Sequence, residues 1–134
     1  MQVLKDVDRR QARKRPIEAR HTIWEIVNHC SYWMETVTKA IHGKKMPDFI
    51  STENWSQMGE TDEDWAKTLE RLKAAYRELV NSIKDFDKSL FTKEIRGSFN
   101  GQSYTIKYRK MLHGVSDHNT YHAGQIAFLR TKTA

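Results

Sequence analysis

The chain has 134 residues, among them 6 His and a single Cys, and carries a formal net charge of +6. That length fits one domain over 1–134 with a core of its own, and the lone Cys30 excludes an internal disulfide. No 18-residue apolar run and no apolar N-terminal segment occur, which excludes a membrane-spanning helix and a signal peptide. A reducing, cytoplasmic setting is the expectation.

The charge is concentrated at the start. Residues 1–20 hold seven basic groups (Lys5, Arg9, Arg10, Arg13, Lys14, Arg15, Arg20) against Asp6, Asp8 and Glu18, which is +4 of the +6. A solvated, partly mobile basic end is expected. No aromatic residue falls there, so bases find no stacking platform and nucleic acid is not the expected partner. Pro16 ends any helix begun near Leu4. Thr22 then suits the N-cap of a helix over about 23–42, with Ile26, His29, Trp33, Val37 and Ile41 along one face. Gly43 and Pro47 close it. Residues 44–60 have no period and read as a long loop of the kind that often covers a site.

Thr61 with Asp64 forms a capping-box pattern before the most regular segment. Trp65, Leu69, Leu72, Tyr76, Leu79, Ile83 and Phe86 alternate by four and three there, a seam for bundle packing. Asp62, Glu63 and Asp64 suit the helix dipole. Asn100-Gly101 is a two-residue turn signal, and its short flanks predict a small hairpin near 94–105 or merely an ordered loop. A last helix follows over about 105–131. Tyr108, Met111, Val115, His118, His122, Gln125 and Leu129 share one face of it. Gly114 and Gly124 lower its propensity and leave room for a neighbouring helix or a ligand.

His118 and His122 are four apart and share a helical face, so their imidazoles can close on one metal ion. Chance alone supplies roughly 0.26 such pairs in a chain of this His content, so the pair by itself is a weak signal. His29 adds weight, because it lies on the core stripe between Ile26 and Trp33. Three buried imidazoles are costly unless each finds a partner, and a divalent cation satisfies all three. A His₃ set leaves a coordination position open, as catalytic zinc sites do. Glu25 lies one turn before His29 and Gln125 is three after His122; both are candidates to orient an imidazole. His21, His42 and His113 do not join this geometry and are assigned to the surface. Cys30 is turned about 100° from His29 and reads as a small buried hydrophobe. Asp117 and Asn119 are assigned to solvent.

The segments HTIWEIVNH (21–29) and HNTYHAGQIAFLR (118–130), with ENW and LERLKAAY between them, resemble the DinB/YfiT-like metalloenzyme superfamily. The resemblance runs from about Leu4 to Arg130. It implies an all-α fold, a four-helix bundle of up-up-down-down type, with His29, His118 and His122 as ligands of a divalent metal, zinc or nickel. Relatives of known activity are bacillithiol S-transferases and mycothiol-dependent isomerases, which implies a low-molecular-weight thiol cosubstrate and a small-molecule electrophile. The family has a full first helix where almost nothing precedes Leu4 here. The apolar seam residues left uncovered imply either a partner chain, most simply a homodimer, or a start of the chain that has been lost.

Three functions follow as expectations. The first is a metal-dependent enzyme of the thiol-transferase type, its electrophile held under the 44–60 loop. The second is a hydrolase using water at the same site. The third is a non-catalytic helical module that binds a partner through the basic N-terminus.

Overall fold

The computed structural model describes residues 2–49 and 55–134. A 3₁₀ turn at Gln2–Leu4 precedes helix α1 (Arg9–Arg13), followed by α2 (Ile23–Ile41), strand β1 (Asp48–Phe49) and α3 (Asp62–Lys84). A 3₁₀ turn at Lys88–Leu90 leads into β2 (Glu94–Phe99), β3 (Gln102–Lys107) and α4 (Tyr108–Thr133). The architecture is thus mostly helical, four helices with a small antiparallel hairpin among the described residues. None of these helices is long and apolar enough to cross a membrane.

α2 is the centre of the molecule. Thr22 starts it: its Oγ1 accepts from the Glu25 backbone N–H, and the Glu25 carboxylate accepts from the Thr22 N–H at 2.7 Å. This reciprocal box satisfies two donors that a helix start otherwise leaves orphaned. The helix is buried nearly all round, with Ile23, Trp24 and Val27 at 0–1% exposure. A helix buried over most of its surface has to be packed between neighbours, and α1, α3 and α4 all pack on it. It stops at His42, and Gly43 takes the left-handed conformation (φ 80°) that a side chain resists.

α3 begins with a second capping box, Thr61 with Asp64. Trp65, Leu72, Ala75, Leu79 and Ser82 form its buried row. The seam read from sequence is therefore only half used, because Tyr76 stays 55% and Ile83 36% exposed. Those two side chains, with Leu79, Val80, Leu112 and Val115, flank an apolar groove of about 420 Å³ between α3 and α4. α4 has no side-chain cap. Its leading N–H groups are taken instead by the preceding turn: Tyr108 N–H donates to the Lys93 carbonyl and Arg109 N–H to that of Phe91, both at 3.0 Å.

The hairpin matches the turn signal. Asn100 (φ 49°) and Gly101 (φ 80°) both adopt positive φ, as the two-residue turn requires, and Phe99 pairs with Gln102. One element departs from an all-α chain beyond that hairpin. Asp48–Phe49 adds a third strand, parallel to β2, with Ser98 Oγ donating to the Asp48 carboxylate at 2.6 Å. Two residues carry no readable period, so nothing local announced it. Part of the predicted 44–60 loop, residues 50–54, lies outside the described residues.

The basic N-terminal stretch is docked where the sequence alone suggested a solvated end. Leu4, Val7 and Ala12 are buried, and Trp65 Nε1 donates to the Val7 carbonyl at 2.9 Å. Arg9 bonds the Asp62 carboxylate and the Glu60 carbonyl, Arg13 the Gly59 carbonyl, and Lys14 the Thr133 carbonyl. The basic groups thereby satisfy carbonyls of loop and helix ends.

Gly124 sits mid-helix in α4, and a Cβ built there meets nothing within 4 Å. No neighbouring helix needs the space that its sequence position suggested. Gly124→Ala should raise stability by about 0.5–1 kcal/mol through helix propensity and a less free unfolded chain. Chemical denaturation checks this; a loss of stability would mean that a neighbour packs against this face of α4.

Candidate metal centre

Three histidines from two helices converge. His29 comes from the middle of α2, and His118 and His122 from successive turns of α4. His29 and His122 are 6% and 5% exposed, and His118 is half-buried. The Nε2 atoms of His29 and His118 stand 2.9 Å apart, and those of His118 and His122 stand 3.1 Å apart. One ligand atom from each residue lies within 4.8 Å of the other two. Among the described residues this is the group of His, Cys, Asp and Glu side chains spaced to hold a metal ion.

The hydrogen bonds around the cluster orient it. His122 Nδ1 stands 2.6 Å from Gln125 Oε1, and Gln125 donates its own N–H to the Tyr121 hydroxyl at 3.1 Å. A carboxamide oxygen only accepts, so the His122 proton sits on Nδ1. The Nε2 lone pair is then directed into the cluster, as a coordinating imidazole requires. Burial lowers the pKa of His122, against the pull of Gln125. Burial and the neighbouring His122 push His118 down to about 4, opposed by Asn119. Neutral imidazole is the form that binds metal.

The donor set fits a tetrahedral ion. Ligand nitrogens at about 2.0–2.1 Å from zinc lie about 3.3 Å from one another, and the two short edges here are within a few tenths of that. Without a cation, an Nε2 proton on one imidazole can bridge two of these nitrogens as a hydrogen bond; a cation satisfies all three.

Aromatic rings enclose His29. The Trp55 ring stacks on it with centroids 3.8 Å apart and planes 2° apart, and His21 stacks on the other side of Trp55 at 3.5 Å and 4°. Trp33 meets His29 edge-on at 6.2 Å. A cavity of about 440 Å³ opens from the His29 and His118 side, walled by Trp33, Val37, Met46, Ile106, Met111 and Val115.

Of the two orienting residues expected from sequence, Gln125 reaches an imidazole. Glu25 instead commits its carboxylate to the Thr22 N–H and to Arg15 at 2.9 Å, with His21 Nδ1 at 3.6 Å, and so serves the start of α2. His21 is exposed and precedes α2, as expected, and its ring in addition extends the stack over Trp55 and His29. His42 bonds Ser82 Oγ at 3.0 Å and ties the end of α2 to α3. His113 is exposed. Cys30 is buried with its thiol pushed up to about 12 by desolvation, so it remains protonated at neutral pH. Asn119 is not solvated: its Oδ1 is buried beside the α3–α4 groove. Trp55, His21 and the hairpin side of the cavity were not found from sequence, because stacking and wall contacts join residues with no shared period.

The chain belongs to the DinB superfamily, whose family profile matches residues 1–126. No curated protein matches the chain. Family membership and the three-histidine cluster together point to a divalent metal ion.

His118 and His122 both have folded pKa values below the ordinary 6.5. The unfolded chain therefore binds more protons below about pH 6.5, and the stability of metal-free protein falls as pH drops through that value toward about 4. Melting temperatures recorded in a chelator from about pH 7 to about pH 4.5 should decline, and less steeply in His118→Asn. An identical slope in that variant would contradict the shift.

Proposed function

We propose that this chain is a divalent-metal-dependent enzyme of the thiol-transferase type. His29, His118 and His122 hold zinc or nickel through Nε2, and the open side accepts a low-molecular-weight thiol that reacts with a small electrophile. The observation that carries this reading is the convergence of three Nε2 atoms beside a cavity that His29 and His118 line. When bound, the metal lowers the pKa of a thiol or water ligand into the neutral range.

The chain's own residues do the rest. Gln125 fixes the His122 tautomer, and Trp55 braces the His29 ring and keeps bulk water from that face. The apolar cavity positions the electrophile beside His29 and His118. Hydrolysis is the outcome if water takes the thiol's place, and a screen of electrophiles with and without added thiol separates the two. The docked N-terminus weighs against a binding module built on basic residues, since Arg9, Arg13 and Lys14 already have carbonyl or carboxylate partners.

Protein purified without a His-tag should contain one divalent ion per chain. His122→Ala should lose most of it, and with it the ligand-linked stabilisation, about 2.7 kcal/mol at a metal concentration a hundredfold above Kd. His113→Ala, an exposed position, should lose neither. Elemental analysis with melting curves reads both. Metal content unchanged in His122→Ala would end the proposal.

We further propose that a second copy of the chain covers the groove between α3 and α4. The exposed Tyr76 and Ile83 on its rim support this. A specific interface buries about 1,000 Å² or more in total. Light scattering at low micromolar concentration should give a dimer, and Tyr76→Lys with Ile83→Glu a monomer. A monomeric unmodified protein would refute it.

A further inference from the structure

The cavity beside the histidines has a composition that selects its occupant. Its described lining is apolar except for the imidazoles of His29 and His118, the Tyr104 hydroxyl, the Trp33 indole N–H and Lys110. Lys110 is the sole Lys, Arg, Asp or Glu among those lining residues. A volume of about 440 Å³ is within the range of small-molecule sites, and such sites use an apolar body with few polar anchors. Gly114 lies in the same wall, one helical turn before His118, so the two positions share a face of α4. A Cβ built at Gly114 meets nothing within 4 Å. The space in front of it is open, and because Gly114 is among the cavity's lining residues that opening faces the cavity rather than a packed neighbour.

We propose that this cavity binds an aryl or alkyl compound bearing one anionic group, such as a carboxylate or sulfonate. Its apolar body lies against Gly114, and its anion is read by Lys110. Gly114 is a specificity-determining position, since any larger side chain there fills the space next to His118. Lys110 sets the charge preference, because no carboxylate among the described lining residues opposes it. The proposal deepens the enzymatic reading by naming the substrate class, and rests on it only for which end of the ligand reacts.

Two fluorescent probes with the same ring body test it. One, 1-anilinonaphthalene-8-sulfonate, is anionic; the other, N-phenyl-1-naphthylamine, is neutral. Each is titrated into the full chain, with chelator and with added zinc, and metal content is measured on the same samples. Gly114→Leu should weaken both probes by about tenfold, the equivalent of nearly two buried methylenes. Leu is a better helix former than Gly, so a lost helix cannot account for that result. Gly124→Leu, on the same helix but outside the cavity lining, should bind as the unmodified chain does. Lys110→Gln should weaken the sulfonate by about two- to fivefold, as for a solvated charge contact, and leave the neutral amine unchanged.

Equal binding by Gly114→Leu and Gly124→Leu overturns the cavity assignment. An equal effect of Lys110→Gln on both probes overturns the anionic class. Both patterns are read in metal-free protein as well. A chain that holds no metal yet follows the expected pattern refutes the metal reading and keeps this one. Stoichiometric metal with indifferent Gly114→Leu does the reverse.

Discussion

The burial of α2 on every side is the constraint on which the rest of the structure depends. A 19-residue helix with Ile23, Trp24, Val27 and Ser31 at 0–1% exposure is not stable in water by itself. It needs neighbours on all faces, and each neighbour is thereby fixed in position. The Thr22–Glu25 box pins its start, and the Arg15 and His21 contacts to Glu25 tie the N-terminal stretch to that same point. His29 sits seven residues into this immobilised element. Its ring therefore has few alternatives to the one that meets α4.

The metal centre follows from how α4 is set against α2. The helix grows straight out of β3, and the turn at 88–93 supplies acceptors for its leading N–H groups. Such a start fixes where α4 begins, and with it the turns that carry His118 and His122. Gln125 then adds the last constraint, by holding the proton of His122 on the side away from the cluster. Buried neutral imidazoles, one of them with its Nε2 lone pair directed inward by Gln125, are costly by themselves and well suited to a cation. Fold stability and the spacing of the three candidate ligands draw on the same contacts here.

The hairpin and β1 have a role that a purely helical description misses. Ile106 and Tyr104 from β3, and Phe99 from the end of β2, close one side of the cavity that α2 and α4 leave open. The short parallel pairing of Asp48–Phe49 with Ser98–Phe99 brings the chain after α2 to that same edge. Met46 joins the cavity wall from this segment, and Trp55, further along, covers His29. The cavity is thus assembled from elements that are distant in sequence.

Local rules were enough for the long helices and the hairpin turn, though not for β1. The two capping boxes, the Gly43 stop, the Asn100-Gly101 turn and the three long helical stretches are each set by residues within one or two turns of one another. The pairing of His118 with His122 is local in the same sense, since spacing by four forces a shared face. Tertiary structure decided what no local period carries. It chose which row of α3 is buried, leaving Tyr76 and Ile83 outside. It assigned Glu25 to a helix cap and Gln125 to an imidazole, although both sit near a histidine along a helix. It docked the basic N-terminal residues onto carbonyls, stacked His21 and Trp55 over His29, and opened a cavity at Gly114. The physical reason is common to all of these. Helical periodicity states which side chains point together, whereas the partner they meet depends on the crossing of elements whose contacts lie far apart in the chain.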